Sequence, residues 1–117
     1  MEYKSVDMSG KIFLHFKNRK PLDFDSIQLL EKVDIHGSIA RTAREVGISY
    51  PTVWHTIDTL NKMSEKPLVL RSAGGKGGGG GTTLTEEGRK FLKRFKSIQR
   101  THKRFIRLLE NKLLSGS

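Results

Sequence analysis

The chain has 117 residues and no cysteine, with 22 Lys and Arg against 12 Asp and Glu, a net charge of +10 and a pI ≈ 10.2. That length suits one domain with a single modest core and one extension, and the missing cysteine removes disulfides, thiolate metal sites and thiol nucleophiles. With no apolar run near the ~18 residues of a membrane span and no signal-peptide core, the expectation is a cytoplasmic, nucleoid-associated protein without membrane contact. Its charge favours a polyanionic partner, most commonly nucleic acid, although charge alone does not separate DNA from RNA or an anionic surface.

Residues 1–10 show little periodicity and read as a frayed start. In KIFLHFKNRK, Ile12, Leu14 and Phe16 alternate with Phe13, His15 and Lys17, the two-residue period of a strand with one apolar face. Residues 18–21 read as a turn, and Lys17, Arg19 and Lys20 as a solvated loop in preference to phosphate contacts. Asp25 or Ser26 is placed to cap a helix running to about Asp34, with Ile27, Leu30 and Val33 on its inner face.

The stretch 37–61, GSIARTAREVGISYPTVWHTIDTLN, carries the strongest signal. Ser38 suits an N-cap, Ile39, Ala43 and Val46 recur at helical spacing, and Gly47 can end that helix in a left-handed conformation. Ser49 is a second cap candidate and Pro51 suits a first helical turn. Val53, Ile57 and Leu60 give the following helix one buried face. Two short helices around a glycine turn make a helix-turn-helix over 38–62. The second helix is expected to leave Tyr50, Thr52, His55, Thr56 and Thr59 facing outward, side chains suited to reading base edges. An ordinary helical hairpin with no nucleic-acid role fits the same spacing.

Residues 67–71 and 82–84 read as two antiparallel strands, joined by SAGGKGGGGG, so that 68–84 form a wing with Arg71 and Lys76 offered to phosphates. Gly75, Gly77 and Gly80 satisfy G-x-G-x-x-G, as any glycine run does. A dinucleotide site would need a helix directly afterwards, and a P-loop would need Ser or Thr after Lys76. From Thr85, a good N-cap, a helix of about 29 residues extends to about Leu114. Phe91, Phe95, Ile98, His102, Phe105 and Leu109 recur along it at heptad spacing, which predicts a partner helix, most simply from a second copy. Residues 85–117 carry ten Lys and Arg against three acids, a net +7, most of it on outer faces. The expected fold is therefore mainly α with a small β-wing (α+β): a winged helix-turn-helix in residues 1–84 and a long basic dimerisation helix in 85–117.

With these residues in place, 37–61 and 67–92 resemble the N-terminal winged-helix domain of the ModE-type molybdate-responsive transcription regulators, which is related to LysR-type DNA-binding domains. Ser49, Tyr50 and Trp54 in S-Y-x-x-x-W, the G-G-K-G-G-G run, and Leu84 to Gly88 in L-T-E-x-G carry the likeness, which covers roughly 11–110. The resemblance implies a homodimer, formed through the first strand region and the long helix, on an inverted-repeat operator in double-stranded DNA. It implies Ser49, Tyr50, Pro51, Thr52, His55 and Thr56 as the base-facing set, joined by Ser38, with Arg71 and Lys76 on the wing. Trp54 ranks second, since packing against the wing suits it equally.

Full-length members of that family continue into a pair of small barrels that bind molybdate or tungstate, and this sequence ends at Ser117 without them. The expectation is a form with no cofactor, controlled by its abundance, a separate regulator protein or another ligand. Thr42 stands where relatives usually carry Ala, a change expected to touch local packing only. No catalytic Ser/His/Asp set or metal cluster is expected, because His15, His36, His55 and His102 fall on separate elements; an enzyme is not. A non-specific chromosome-coating protein and a protein-interaction module on a winged-helix scaffold are the alternative functions.

Overall fold

The computed structural model describes residues 3–72 and 81–115. Lys76 and the glycine pattern of Gly75, Gly77 and Gly80 lie outside them. The elements run α1 (Phe24–Ile27), α2 (Leu29–His36), α3 (Ile39–Val46), α4 (Tyr50–Met63), β1 (Val69–Arg71), β2 (Thr82–Leu84) and α5 (Glu86–Leu114). This is the α+β winged helix that the sequence predicts, with a small antiparallel sheet and a long last helix.

Among the described residues, four of the five helices begin on a side chain that satisfies one of their own orphan N–H groups, and α2 has no such cap. Asp23 accepts from Ser26 N at 2.9 Å, Ser38 from Arg41 N at 3.0 Å, Ser49 from Thr52 N at 3.2 Å and Thr85 from Gly88 N at 3.0 Å. The first cap corrects the sequence reading, which favoured Asp25 or Ser26; Ser26 supplies the N–H that Asp23 captures. Gln28 then carries the chain from α1 directly into α2, which runs on to His36. Gly47 ends α3 with φ 79°, and its N–H donates to the Ala43 carbonyl.

Ile27, Leu30 and Val33, fully buried, face Ile39 and Ala43 of α3 and Val53, Ile57 and Leu60 of α4. Leu68, Val69 and Leu84 of the wing and Leu92 and Phe95 of α5 complete one continuous core. Each such side chain contributes about 1.5–3 kcal/mol on leaving water. Phe95 stacks on Phe24 with centroids 5.8 Å apart, and Lys96 pairs with Glu31 at 2.9 Å, so the first turns of α5 are fixed against α1 and α2.

The wing is held from both sides. β1 and β2 pair with Val69 opposite Leu84 and Arg71 opposite Thr82. On the free edge of β2, Thr82 N donates to the Gly37 carbonyl at 2.8 Å and Leu84 N to Asp34 Oδ1 at 3.0 Å, so the end of α2 substitutes for a third strand. At the base of β1, Asn61 Oδ1 accepts from Leu68 N and Val69 N while its Nδ2 donates to the Val69 carbonyl. Gly88 sits where α5 crosses the wing. A Cβ there would run into the Leu68 carbonyl oxygen and reach Leu84 Cδ1 at 2.6 Å, so the glycine of L-T-E-x-G is required by space.

Two expectations for the N-terminal region change. Residues 12–16 keep the predicted alternation, with Ile12, Leu14 and Phe16 half-buried and Phe13 and His15 exposed. They do not form a strand, however: one bridge, Leu14 to Leu22, is all that pairs there. Within the expected frayed start, residues 8–10 are held against the chain. They lie along the far half of α5, where Met8 N donates to Glu110 Oε2 at 2.8 Å and Gly10 approaches Ile106 and His102.

Candidate nucleic-acid interface

The helix-turn-helix consists of α3 and α4, joined at Gly47. Thr42, at its centre, is fully buried and donates its hydroxyl to the Ser38 carbonyl at 2.7 Å, with a longer contact to the Lys32 carbonyl. This residue is thus a hydrogen-bonded link between α2 and α3, a larger part than the local packing change expected of it. On α4, Ser49, Tyr50, Pro51, Thr52 and His55 are exposed on the N-terminal half, and Val53, Ile57 and Leu60 are turned inward. Ser49 and Thr52 also share a hydroxyl–hydroxyl bond of 2.7 Å, so the first turn is rigid before any partner arrives. Trp54 is half-buried against the core, and its ring meets that of His55 edge-on at 5.3 Å.

The outward set is narrower than the sequence suggests. Thr56 and Thr59 are 7% and 5% exposed, and both belong to the inner side of α4. The reason is a contact across 39 residues: Arg19 Nη1 donates to Asp58 Oδ2 at 2.9 Å and to Thr59 Oγ1 at 3.0 Å, drawing residues 19–22 over that side of the helix. Lys62 reaches the same carboxylate at 3.3 Å. Burial would raise the Asp58 pKa, but the hydrogen bonds from Arg19 and Lys62, together with their charges, outweigh it and hold the carboxyl below its ordinary value. Arg19 is therefore a structural cation and not part of a solvated loop, whereas Lys20 beside it stays exposed. A cleft of about 490 Å³ lies between residues 19–22 and the face of α4 that carries Thr52, His55, Thr56 and Thr59.

Ser38 is committed to capping α3, with its backbone carbonyl taken by Thr42. Arg71 is exposed at the outer end of β1. Arg41 and Arg44, exposed on α3, were absent from the expected set, though their three-residue spacing on the outer face of a short helix could have revealed them. The predicted seam of α5 divides in two. Phe95 is 2% exposed and Phe91 packs on it at 6.2 Å, so both belong to the core of this chain. Ile98 and Phe105 are 48% and 52% exposed, and His102 and Leu109 are half-buried. Among the described residues, no His, Asp or Glu group could hold a metal ion, and no helix is long and apolar enough to cross a membrane.

A rigidly capped helix projecting a phenol, hydroxyls and an imidazole beside a two-stranded wing that carries Arg71 defines a winged helix-turn-helix of the nucleic-acid-binding kind. Residues 24–89 match the family model of bacterial regulatory helix-turn-helix proteins of the lysR family. The chain belongs to that family, a class of transcription regulators and not of enzymes. It is 40% identical over 73 residues to the molybdenum transport protein ModE of Azotobacter vinelandii, covering 62% of this chain and 27% of the relative. It is 52% identical over 52 residues to the molybdenum-pterin-binding protein MopA of Rhodobacter capsulatus, 44% of this chain and 20% of the relative. Against the DNA-binding transcriptional dual regulator ModE of Escherichia coli K12 it is 37% identical over 87 residues, 73% of this chain and 33% of the relative. The chain thus spans a third or less of the length of these three relatives.

Proposed function

We propose that the protein is a sequence-specific regulator of transcription that binds an inverted repeat in double-stranded DNA as a homodimer. The observation that carries this reading is the exposed N-terminal half of α4. Tyr50, Thr52 and His55 stand there on a helix whose opposite side is locked into the core. Such a face fits a major groove, and the positive end of the helix dipole suits nearby phosphates. Ser49 and Pro51 frame it, and Ser38 at the start of α3, with Arg71 and Lys76 of the wing sequence, completes the proposed contact set.

The homodimer is supported by the outer half of α5, where Ile98, Phe105 and Leu108 are about half-exposed or more. A second groove of about 370 Å³, lined by Ile12, Ile98, His102 and Phe105, continues that apolar surface onto the first extended segment. Two copies joined there would place two α4 helices in successive major grooves, about 34 Å apart. The net +7 of residues 85–117 would speed association and steepen its salt dependence.

Selection of bound duplexes from a randomised pool at about 150 mM salt tests the reading. Enrichment of an inverted repeat is the expected result. Retention without enrichment would assign the protein to non-specific coating of nucleic acid. Absence of retention would point to a protein-interaction module built on this scaffold.

A further inference from the structure

We propose that the cleft between residues 19–22 and α4 binds a small organic acid, a monoanion with an apolar body, and that this ligand competes with DNA for the recognition helix. The competition rests on the DNA-binding reading above; the binding site does not.

Size comes first. The cleft's volume of about 490 Å³ falls within the ~300–1,000 Å³ that hold small ligands. Charge sets the sign of the occupant. Arg19 and Lys20 line the cleft and no carboxylate does. Asp58, behind the lining, is shared by Arg19 and Lys62, so these three carry one positive charge and Lys20 adds another.

Hydroxyls line the same place. Thr59 accepts from Arg19, and the Thr52 hydroxyl is engaged with Ser49. Thr56, although 7% exposed as a residue, lines the cleft, and its hydroxyl is open to whatever fills that space. Water satisfies such a hydroxyl in the free protein, and a ligand oxygen in the cleft would take the water's place. Ser26 and His55 also line the cleft, and Pro21, Leu22 and Pro51 give the wall its apolar part. A bare inorganic anion would leave that surface uncovered, so the occupant carries a hydrocarbon body behind its charged head.

Position then links the site to regulation. Thr52 and His55 line the cleft and also belong to the exposed face of α4. A ligand held against them stands where a DNA strand would approach, so the two exclude each other.

The test uses amide chemical shifts of the purified chain with three probes: cyclohexanecarboxylate, its neutral carboxamide, and inorganic phosphate. Saturable shifts from the carboxylate are expected at residues 20–22, 52, 55, 56 and 59, with binding at least about fivefold weaker for the other two probes. Lys20→Ala and the near-isosteric Thr56→Val should each weaken the carboxylate by about fivefold, and both should keep the wild-type spectrum elsewhere. Absence of saturable shifts at these residues would overturn the site. Phosphate binding as well as the carboxylate would overturn the organic acid and assign the cleft to a phosphodiester of the DNA backbone. In the same buffer, the carboxylate should raise the apparent Kd for a selected duplex. If it binds the cleft and duplex binding is unchanged, the competition fails. If no duplex binds at all, the DNA reading fails while the site stands.

Discussion

Arg19 and Asp58 form the link that decides which face of the recognition helix is free, through a 2.9 Å ion pair that closes residues 19–22 over α4. It is partly shielded, with the two side chains 29% and 22% exposed. The Asp58 carboxyl lies below its ordinary value, so folding favours its ionised form. The resulting stability is fully present above about pH 4, the value in the unfolded chain, and is lost as pH falls through the folded value. Arg19→Met should therefore cost about 1–2 kcal/mol at pH 7, read from urea midpoints. The gap from wild type should close as the pH is lowered from 5 towards 2. An undiminished gap at low pH would mean that packing of the Arg19 stem, and not the ion pair, supplies the stability.

Gly88 leads to a second expectation. A methyl group there meets the Leu68 carbonyl, which is backbone and already accepts from Thr85 N at 2.9 Å. It cannot swing aside without breaking the join between wing and α5. Gly88→Ala should cost about 2–3 kcal/mol, despite the better helix propensity of alanine. Denaturant unfolding measures it, and a neutral or stabilising result would show that the wing can shift away from α5.

How much of this was legible in the sequence follows from the range of each interaction. Ser38, Ser49, Thr85 and Gly47 act within four residues of themselves, and their roles as caps and stop could be read directly. The core faces of α2 and α4 were equally readable, because helical period alone selects Ile27, Leu30, Val33, Val53, Ile57 and Leu60. Thr56 and Thr59 were misread because what covers them is held by a residue 39 or 40 positions away. Asn61, whose side chain organises the start of β1, gave no signal because its partners lie seven and eight residues on, outside the spacings that helical period and capping make readable. Phe95 illustrates a different ambiguity: the 3–4 spacing of a helix is identical whether the seam packs on its own domain or on a second copy. The alternation in residues 12–16 stated correctly which side chains face inward, yet a period of two does not say whether a partner strand exists.

The recognition face gives a third prediction. Tyr50→Ala and His55→Ala should each cost about 1–3 kcal/mol on a selected duplex and relax its sequence preference. Arg71→Ala and Lys76→Ala should weaken selected and scrambled duplexes alike, and each should flatten the salt slope by about one. Fluorescence anisotropy at three salt concentrations separates the two behaviours. Unchanged preference in both α4 variants would remove this helix from the base-reading role.

Two phenylalanines on α5 provide the last contrast. Phe95 is 2% exposed and stacked on Phe24, so Phe95→Ala should lower the stability of the protomer by about 3–5 kcal/mol. Phe105, ten residues further along and 52% exposed, touches little of its own chain's core, so Phe105→Glu should leave the circular dichroism of the folded protomer intact. If the outer half of α5 joins two copies, burying a carboxylate in that seam costs several kcal/mol, and sedimentation should show the variant as a monomer at concentrations where wild type is a dimer. Binding to an inverted repeat should then fall to that of a half-site, because the second recognition helix is no longer tethered. A Phe105→Glu protein that still sediments as a dimer would place the interface elsewhere on the molecule.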